Sequence, residues 1–94
     1  MDKNKWFPNN KQLREATLIA LEELGGTAKT QEINAKVIEL LKIPEDVVKL
    51  PHPDGIGTLL NYRLRWARTD LKGRIENTQR GIWSLVDIKK SDSI

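Results

Sequence analysis

Residues 61–86 concentrate side chains that could contact a nucleic acid. The first part of this segment, NYRLRWARTDLK, intersperses arginines with Tyr62 and Trp66. Guanidinium groups bind phosphates and make paired hydrogen bonds to guanine, and apolar side chains contact methyl groups in the major groove. A glycine-containing hairpin pattern follows directly, so one short segment offers two elements to the same interface.

Helical spacing sorts the side chains of this segment onto two faces. At about 100° per residue, one narrow apolar stripe must face the core. This stripe comprises Leu60, Leu64, Ala67 and Leu71. The opposite face carries Thr58, Tyr62, Arg65, Trp66, Thr69 and Lys72, with Asn61 and Arg68 on one shoulder and Arg63 and Asp70 on the other. The exposed face is therefore predicted to be polar, cationic and aromatic.

Gly73 favours the end of this helix, and two short strands are predicted at residues 75–77 and 82–86. Residues 78–81 form the predicted turn, with Gln79 and Arg80 at its tip. Alternation of side chains along the second strand directs Trp83 and Leu85 toward the core.

The candidate DNA contacts follow from these two elements. They are Thr58, Asn61, Tyr62, Arg65, Trp66, Arg68, Thr69, Lys72, Gln79 and Arg80. An ordinary solvated surface is the alternative for the cations. Arg63 and Arg68 could each pair instead with Asp70 or another acid to brace the hairpin, and this structural role is favoured for Arg63. For Trp66 the favoured interpretation is packing beneath residues 6–8 or the hairpin, whereas for Tyr62 packing and base contact remain equally open.

Upstream elements should form the support of this surface. We predict a helix over residues 11–24, a strand over 27–29, a second helix capped by Thr30, and a short helix over 44–50 before a loop at 51–55. The predicted fold class is α+β. Residues 11–88 are the predicted domain, with tails or linkers at 1–10 and 89–94.

Composition limits the other possibilities. The chain has 94 residues, no cysteine and a net charge of +3, with the cationic surplus concentrated between Arg63 and Arg80. No apolar run approaches the ~18 residues of a membrane span, and the first ten residues do not resemble a secretory signal. We therefore expect one small, soluble, cytoplasmic domain with no membrane partner.

Two runs, RLRWARTDLK at residues 63–72 and RGIWSL at residues 80–85, resemble the amino-terminal winged-helix domain of Mrr-type restriction proteins. The resemblance implies a winged helix-turn-helix with three core helices, a short extra helix and a carboxyl-terminal hairpin wing. It also implies a module that recognises double-stranded DNA, including methylated DNA, and works with a fused or separate nuclease domain.

Catalysis by this chain is not expected. Pro53-Asp54 and Asp70-Leu71-Lys72 imitate the PD…(D/E)xK pattern of metal-dependent nucleases. That chemistry needs the second carboxylate and the lysine on one strand, whereas helical residues two apart diverge by about 200°. His52 is the only histidine and has no neighbouring ligand set in the sequence, and no cofactor motif is present.

Three classes of function remain open from the sequence. The first is a DNA-binding module that recognises methylated bases by direct contact in the major groove, without base flipping, as the specificity domain of a restriction system. The second is a transcription-factor type of winged helix that binds unmodified DNA. The third is a winged helix that binds another protein.

Overall fold

The computed structural model describes residues 7–55 and 57–86. They form seven elements: α1 (Asn10–Glu23), β1 (Thr27–Lys29), α2 (Thr30–Leu41), α3 (Glu45–Val48), α4 (Leu59–Asp70), β2 (Ile75–Gln79) and β3 (Ile82–Leu85). The order of the elements and the α+β class match the sequence prediction. Predictions for Trp6, for the first six residues of the tail and for residues 87–94 lie outside the described residues.

Local capping explains where the helices begin. Asn9 and Gln12 cap α1 reciprocally, each side-chain oxygen accepting the other's backbone N–H at 2.8 and 2.9 Å. The helix therefore starts at Asn10, one residue before the predicted start. Thr30 was predicted to be the N-cap of α2, but it is the first residue of the helix. Its backbone N–H and its hydroxyl instead donate to the carbonyl of Gly81, at 2.9 and 3.3 Å.

The hydrophobic core lies where α1, α2 and α4 converge. Its largest fully buried aliphatic side chains are Leu13, Leu21, Ile33, Val37, Leu60 and Leu64. Burial of each is worth about 1.5–3 kcal/mol, so these contacts dominate the stability of a domain this small. The apolar stripe predicted for α4 is confirmed, because all four of its members are buried.

The three strands form one antiparallel sheet in the order β1-β3-β2. The central strand β3 pairs Ser84 with Thr27 of β1 and Leu85 with Ile75 of β2. The hydroxyls of Thr27 and Ser84 are also hydrogen-bonded, at 2.7 Å. The β2–β3 hairpin, here called the wing, is thus attached to the helical part of the domain through β1.

The turn of the wing is shorter than predicted. β2 continues to Gln79, so only Arg80 and Gly81 connect the strands, and the predicted four-residue turn is wrong. The register shifts between Asn77 and Gln79, where the Asn77 amide donates to the carbonyls of Gln79 and Ile82 at 2.7 and 2.8 Å. Gly81 has a φ of 75°, which a residue with a Cβ atom rarely adopts.

Candidate nucleic-acid interface

The outward face of α4, defined as Tyr62, Arg65, Trp66 and Thr69, is exposed along its length. Thr58 caps the helix, since its hydroxyl oxygen accepts the N–H of Asn61 at 3.2 Å. The hydroxyl of Thr69 donates to the carbonyl of Arg65 at 3.1 Å, which leaves its lone pairs available to a ligand. The guanidinium of Arg65 makes no ion pair with another described residue.

Two aromatic side chains stand on this face. Trp66 is 50% exposed and Tyr62 is 41% exposed, so residues 7–55 and 57–86 do not bury Trp66 as the favoured packing would require. Cover by Trp6 lies outside the described residues. Their ring centroids are 6.3 Å apart in an edge arrangement. The Phe7 ring centroid lies 5.4 Å from the guanidinium carbon of Arg63. Arg63 therefore has a structural contact, but with the segment before α1 and not with the hairpin, and Asp70 pairs with Arg14.

Arg68 occupies a different position from the one predicted. It is only 8% exposed, so its side chain is not available for direct contact with DNA. One guanidinium nitrogen, Nη1, donates to Oδ1 of Asn34 on α2 at 3.0 Å, and the guanidinium carbon lies 5.6 Å from the Trp83 ring centre on β3. Arg68 therefore connects α2, α4 and the wing.

Electrostatics make this buried arginine costly. Burial lowers the pKa of Arg68, and the charge of Arg65 lowers it further. Its Nε is buried and has no hydrogen-bond partner among the described residues. The neighbouring Asn34 and Trp83 supply a hydrogen-bond acceptor and a π face, but neither supplies the negative charge that would offset desolvation.

A cleft of ≈ 340 Å³ opens beside the first turns of α4. Its lining residues are His52, Asp54, Gly57, Thr58, Asn61, Tyr62 and Arg65. A second cleft, also of ≈ 340 Å³, is lined by the outward face itself: Tyr62, Arg65, Trp66 and Thr69. Tyr62 and Arg65 belong to both, so these two side chains separate two neighbouring depressions on one surface.

His52, expected from the sequence to be a loop residue and not a metal ligand or a base, lies in the loop before α4 and packs against that helix. Its ring packs against the ring of Tyr62, with 4.3 Å between the two centroids, and its side chain is 13% exposed. Its Nδ1 accepts the backbone N–H of Asp54 at 3.0 Å. No signal in the sequence pairs His52 with Tyr62, because the contact depends on how the loop turns back onto α4.

The wing contributes a separate group of candidate residues. Gln79 and Arg80 are exposed at its tip. A depression of ≈ 350 Å³ separates this tip from the start of α2 and is lined by Lys29, Thr30, Gln31, Arg80, Gly81 and Ile82. Lys72 is exposed just after the end of α4, so the candidates lie on two elements rather than in one pocket.

The nuclease-like residues do not share a strand. Asp70 is the last residue of α4 and forms an ion pair with Arg14 on α1 at 3.7 Å, while Asp54 lies in the loop before α4. Within residues 7–55 and 57–86, no three His, Asp or Glu side chains come close enough together to hold a metal ion. In the same residues, no helix combines the length and apolarity needed to cross a bilayer.

Three core helices, a short extra helix and a hairpin attached beside an exposed cationic helix define a winged-helix protein. Comparison with known protein families matches residues 11–88 to the Mrr N-terminal domain. The chain belongs to this family of restriction-protein domains, which confirms the resemblance seen in its sequence. Searches of curated proteins and of solved structures found no match.

Proposed function

We propose that this domain binds double-stranded DNA and recognises modified bases in the major groove, as the specificity domain of a restriction system. One observation carries the proposal: the outward face of α4 holds a cation without an ion pair among the described residues, next to two aromatic rings that are about half exposed. A nuclease domain, fused or separate, would supply the cleavage chemistry.

The roles follow from chemistry and position. Arg65 donates paired hydrogen bonds to guanine, and Thr69 and Asn61 contact neighbouring base edges. Lys72, after α4, and Arg80, at the wing tip, neutralise DNA phosphates. Gln79 is a further hydrogen-bond donor to the DNA backbone. Thr58 acts indirectly, because its hydroxyl oxygen already caps α4. Arg68 is removed from the set of direct contacts, since it is buried.

Tyr62 and Trp66 are the proposed contacts of the modification. Methylation of cytosine C5 or adenine N6 projects an apolar group into the major groove without breaking the base pair. Burial of one methyl group is worth about 0.8 kcal/mol, or roughly fourfold in affinity, and two methyl groups in a palindromic site give roughly fifteenfold. Aromatic contact alone therefore provides moderate discrimination.

The test is a fluorescence anisotropy titration with duplexes of one sequence, either unmodified or carrying 5-methylcytosine, 5-hydroxymethylcytosine or N6-methyladenine. Preference for one modified duplex at both low and high salt is the expected result. Equal binding of all duplexes would refute recognition of the modification and leave a general DNA-binding winged helix.

The half-exposed Trp66 favours a second candidate, in which the same face binds a protein. The dependence of binding on salt concentration distinguishes the DNA-binding from the protein-binding candidate. With phosphate contacts from Lys72 and Arg80, DNA affinity should fall about twelvefold between 50 and 200 mM salt, following a slope of −0.9 per phosphate. Absence of DNA binding at both salt concentrations would favour the protein-binding candidate.

A further inference from the structure

The loop before α4 is held against that helix. His52 packs on Tyr62, and its Nδ1 accepts the N–H of Asp54. The backbone of the same loop closes on itself, with the N–H of Gly55 donating to the His52 carbonyl at 2.8 Å and the N–H of His52 donating to the Gly57 carbonyl at 3.1 Å. These contacts fix the backbone that carries Asp54.

Asp54 and Arg65 line the same cleft with opposite hydrogen-bonding character. The Asp54 side chain is 80% exposed, and as a carboxylate it can only accept hydrogen bonds. The guanidinium of Arg65 can only donate them. A ligand that fits both must offer a donor beside one or more acceptors.

A cytosine–guanine pair has this pattern on its major-groove edge. Cytosine presents the N4 amino group as a donor, and guanine presents O6 and N7 as acceptors. Carboxylates accept from cytosine N4, and arginine pairs with guanine O6 and N7. Asn61 also lines the cleft, but its amide both donates and accepts, so it is compatible with either base pair.

The two common methylations differ in what they leave for Asp54. A methyl group on cytosine C5 lies beside N4 and leaves the free N4–H in the groove. When N6-methyladenine pairs with thymine, its remaining N6–H is used in the pair and the methyl group faces the major groove. A carboxylate at that position would then meet a methyl group and no donor, which is unfavourable for an acceptor removed from water.

We infer that Asp54 is a specificity-determining residue that selects C5-methylated cytosine over N6-methyladenine, and that His52 is the positioning residue that holds it there. This inference rests on the proposed function, because it requires α4 to lie in the major groove. It assigns the ligand class and adds two residues from the preceding loop to the interface.

The experiment compares two duplexes of identical length, one with 5-methylcytosine and one with N6-methyladenine, using wild type, Asp54→Ala and Asp46→Ala. Asp46 is an exposed acid on α3, so replacing it with alanine removes the same negative charge as Asp54→Ala. It therefore controls for the gain in DNA affinity that follows from a more positive net charge. Wild type should prefer 5-methylcytosine by at least about tenfold, the size of one good base contact. Asp54→Ala should lower the ratio of the affinity for the 5-methylcytosine duplex to that for the N6-methyladenine duplex about tenfold. Asp46→Ala should leave this ratio unchanged.

A third variant tests the positioning role. His52→Phe keeps a ring against Tyr62 but cannot accept the N–H of Asp54. It should lower the ratio of the affinities for the 5-methylcytosine and N6-methyladenine duplexes, whereas general damage to the domain would weaken binding of both duplexes by the same factor. Such equal weakening would count against the positioning role.

The failures of the two proposals are distinguishable. No binding of any duplex by wild type would overturn the proposed function. Binding with an unchanged ratio in Asp54→Ala, or a wild-type preference for N6-methyladenine, would overturn the assignment of Asp54 and leave DNA binding intact.

Discussion

Replacing Arg65 with alanine should separate DNA binding from folding. The side chain is exposed and forms no ion pair within the described residues. The Arg65 carbonyl accepts the hydroxyl of Thr69, and alanine retains this bond. Removing the charge also relieves its repulsion with Arg68, whose pKa it helps to lower. We expect the free energy of unfolding to change by no more than about 0.5 kcal/mol.

The effect on binding should be much larger. A paired contact to guanine contributes about 1–3 kcal/mol, so Arg65→Ala should weaken binding about 5- to 150-fold. Thermal melting would give the stability, where 0.5 kcal/mol corresponds to roughly 2–4 °C in a domain of this size. Anisotropy with a single duplex at fixed salt would give the affinity.

Lys11→Ala provides the matched control. Lys11 is exposed on α1, about 160° around the helix from the buried Leu13, and its loss removes the same charge. A similar affinity loss in both variants would mean that only net charge matters. Unchanged binding by Arg65→Ala would refute the assigned face of α4, and a large fall in its melting temperature would refute the solvent-exposed role.

Four further outcomes are expected. Lys72→Ala should reduce the slope of log affinity against log salt by about 1, with base preference unchanged, as measured by titration at several salt concentrations. Arg68→Met should leave the melting temperature equal or higher, because it removes a buried charge, whereas Arg68→Ala should lower stability by about 2 kcal/mol or more through lost packing; chemical denaturation distinguishes them. Trp66→Ala should bring the affinities for methylated and unmethylated duplexes to within about fourfold of each other, since the exposed half of the side chain is the part available to a methyl group. Gly81→Ala should cost about 1–2 kcal/mol in thermal melts because of the positive φ.

The helices were predictable because their apolar spacing reflects a core that every helix must face. The stripe of α4 and the end of α1, predicted at residue 24 and found at Glu23, follow from local rules that need no knowledge of neighbouring elements. The wing was predictable as a hairpin, but its turn was not. The Asn77 amide donates to the carbonyl of Gln79 on its own strand and to that of Ile82 across the turn, a local arrangement that residue types alone do not specify.

Positions that depend on distant partners were not predictable. Arg68 belongs by helical angle to the shoulder of α4, and its burial brings it against Asn34 of α2 and Trp83 of β3. Thr30 has a side chain typical of an N-cap, yet its backbone N–H and its hydroxyl donate to the carbonyl of Gly81, 51 residues away. Sequence spacing reports polarity around one helix, and it carries no information about which other element will meet each side chain.

If the domain binds DNA as proposed, the bond between Thr30 and Gly81 also affects which duplexes fit. Because the wing turn is held to α2 and β3 pairs with β1, the distance from the wing tip to α4 is set in the free domain. A rigid protein leaves the adjustment to the duplex, whose bending and groove width depend on its sequence. We therefore expect base pairs that no side chain touches to influence affinity. Flexible pyrimidine–purine steps between the two contact regions should bind more tightly than a stiff A-tract.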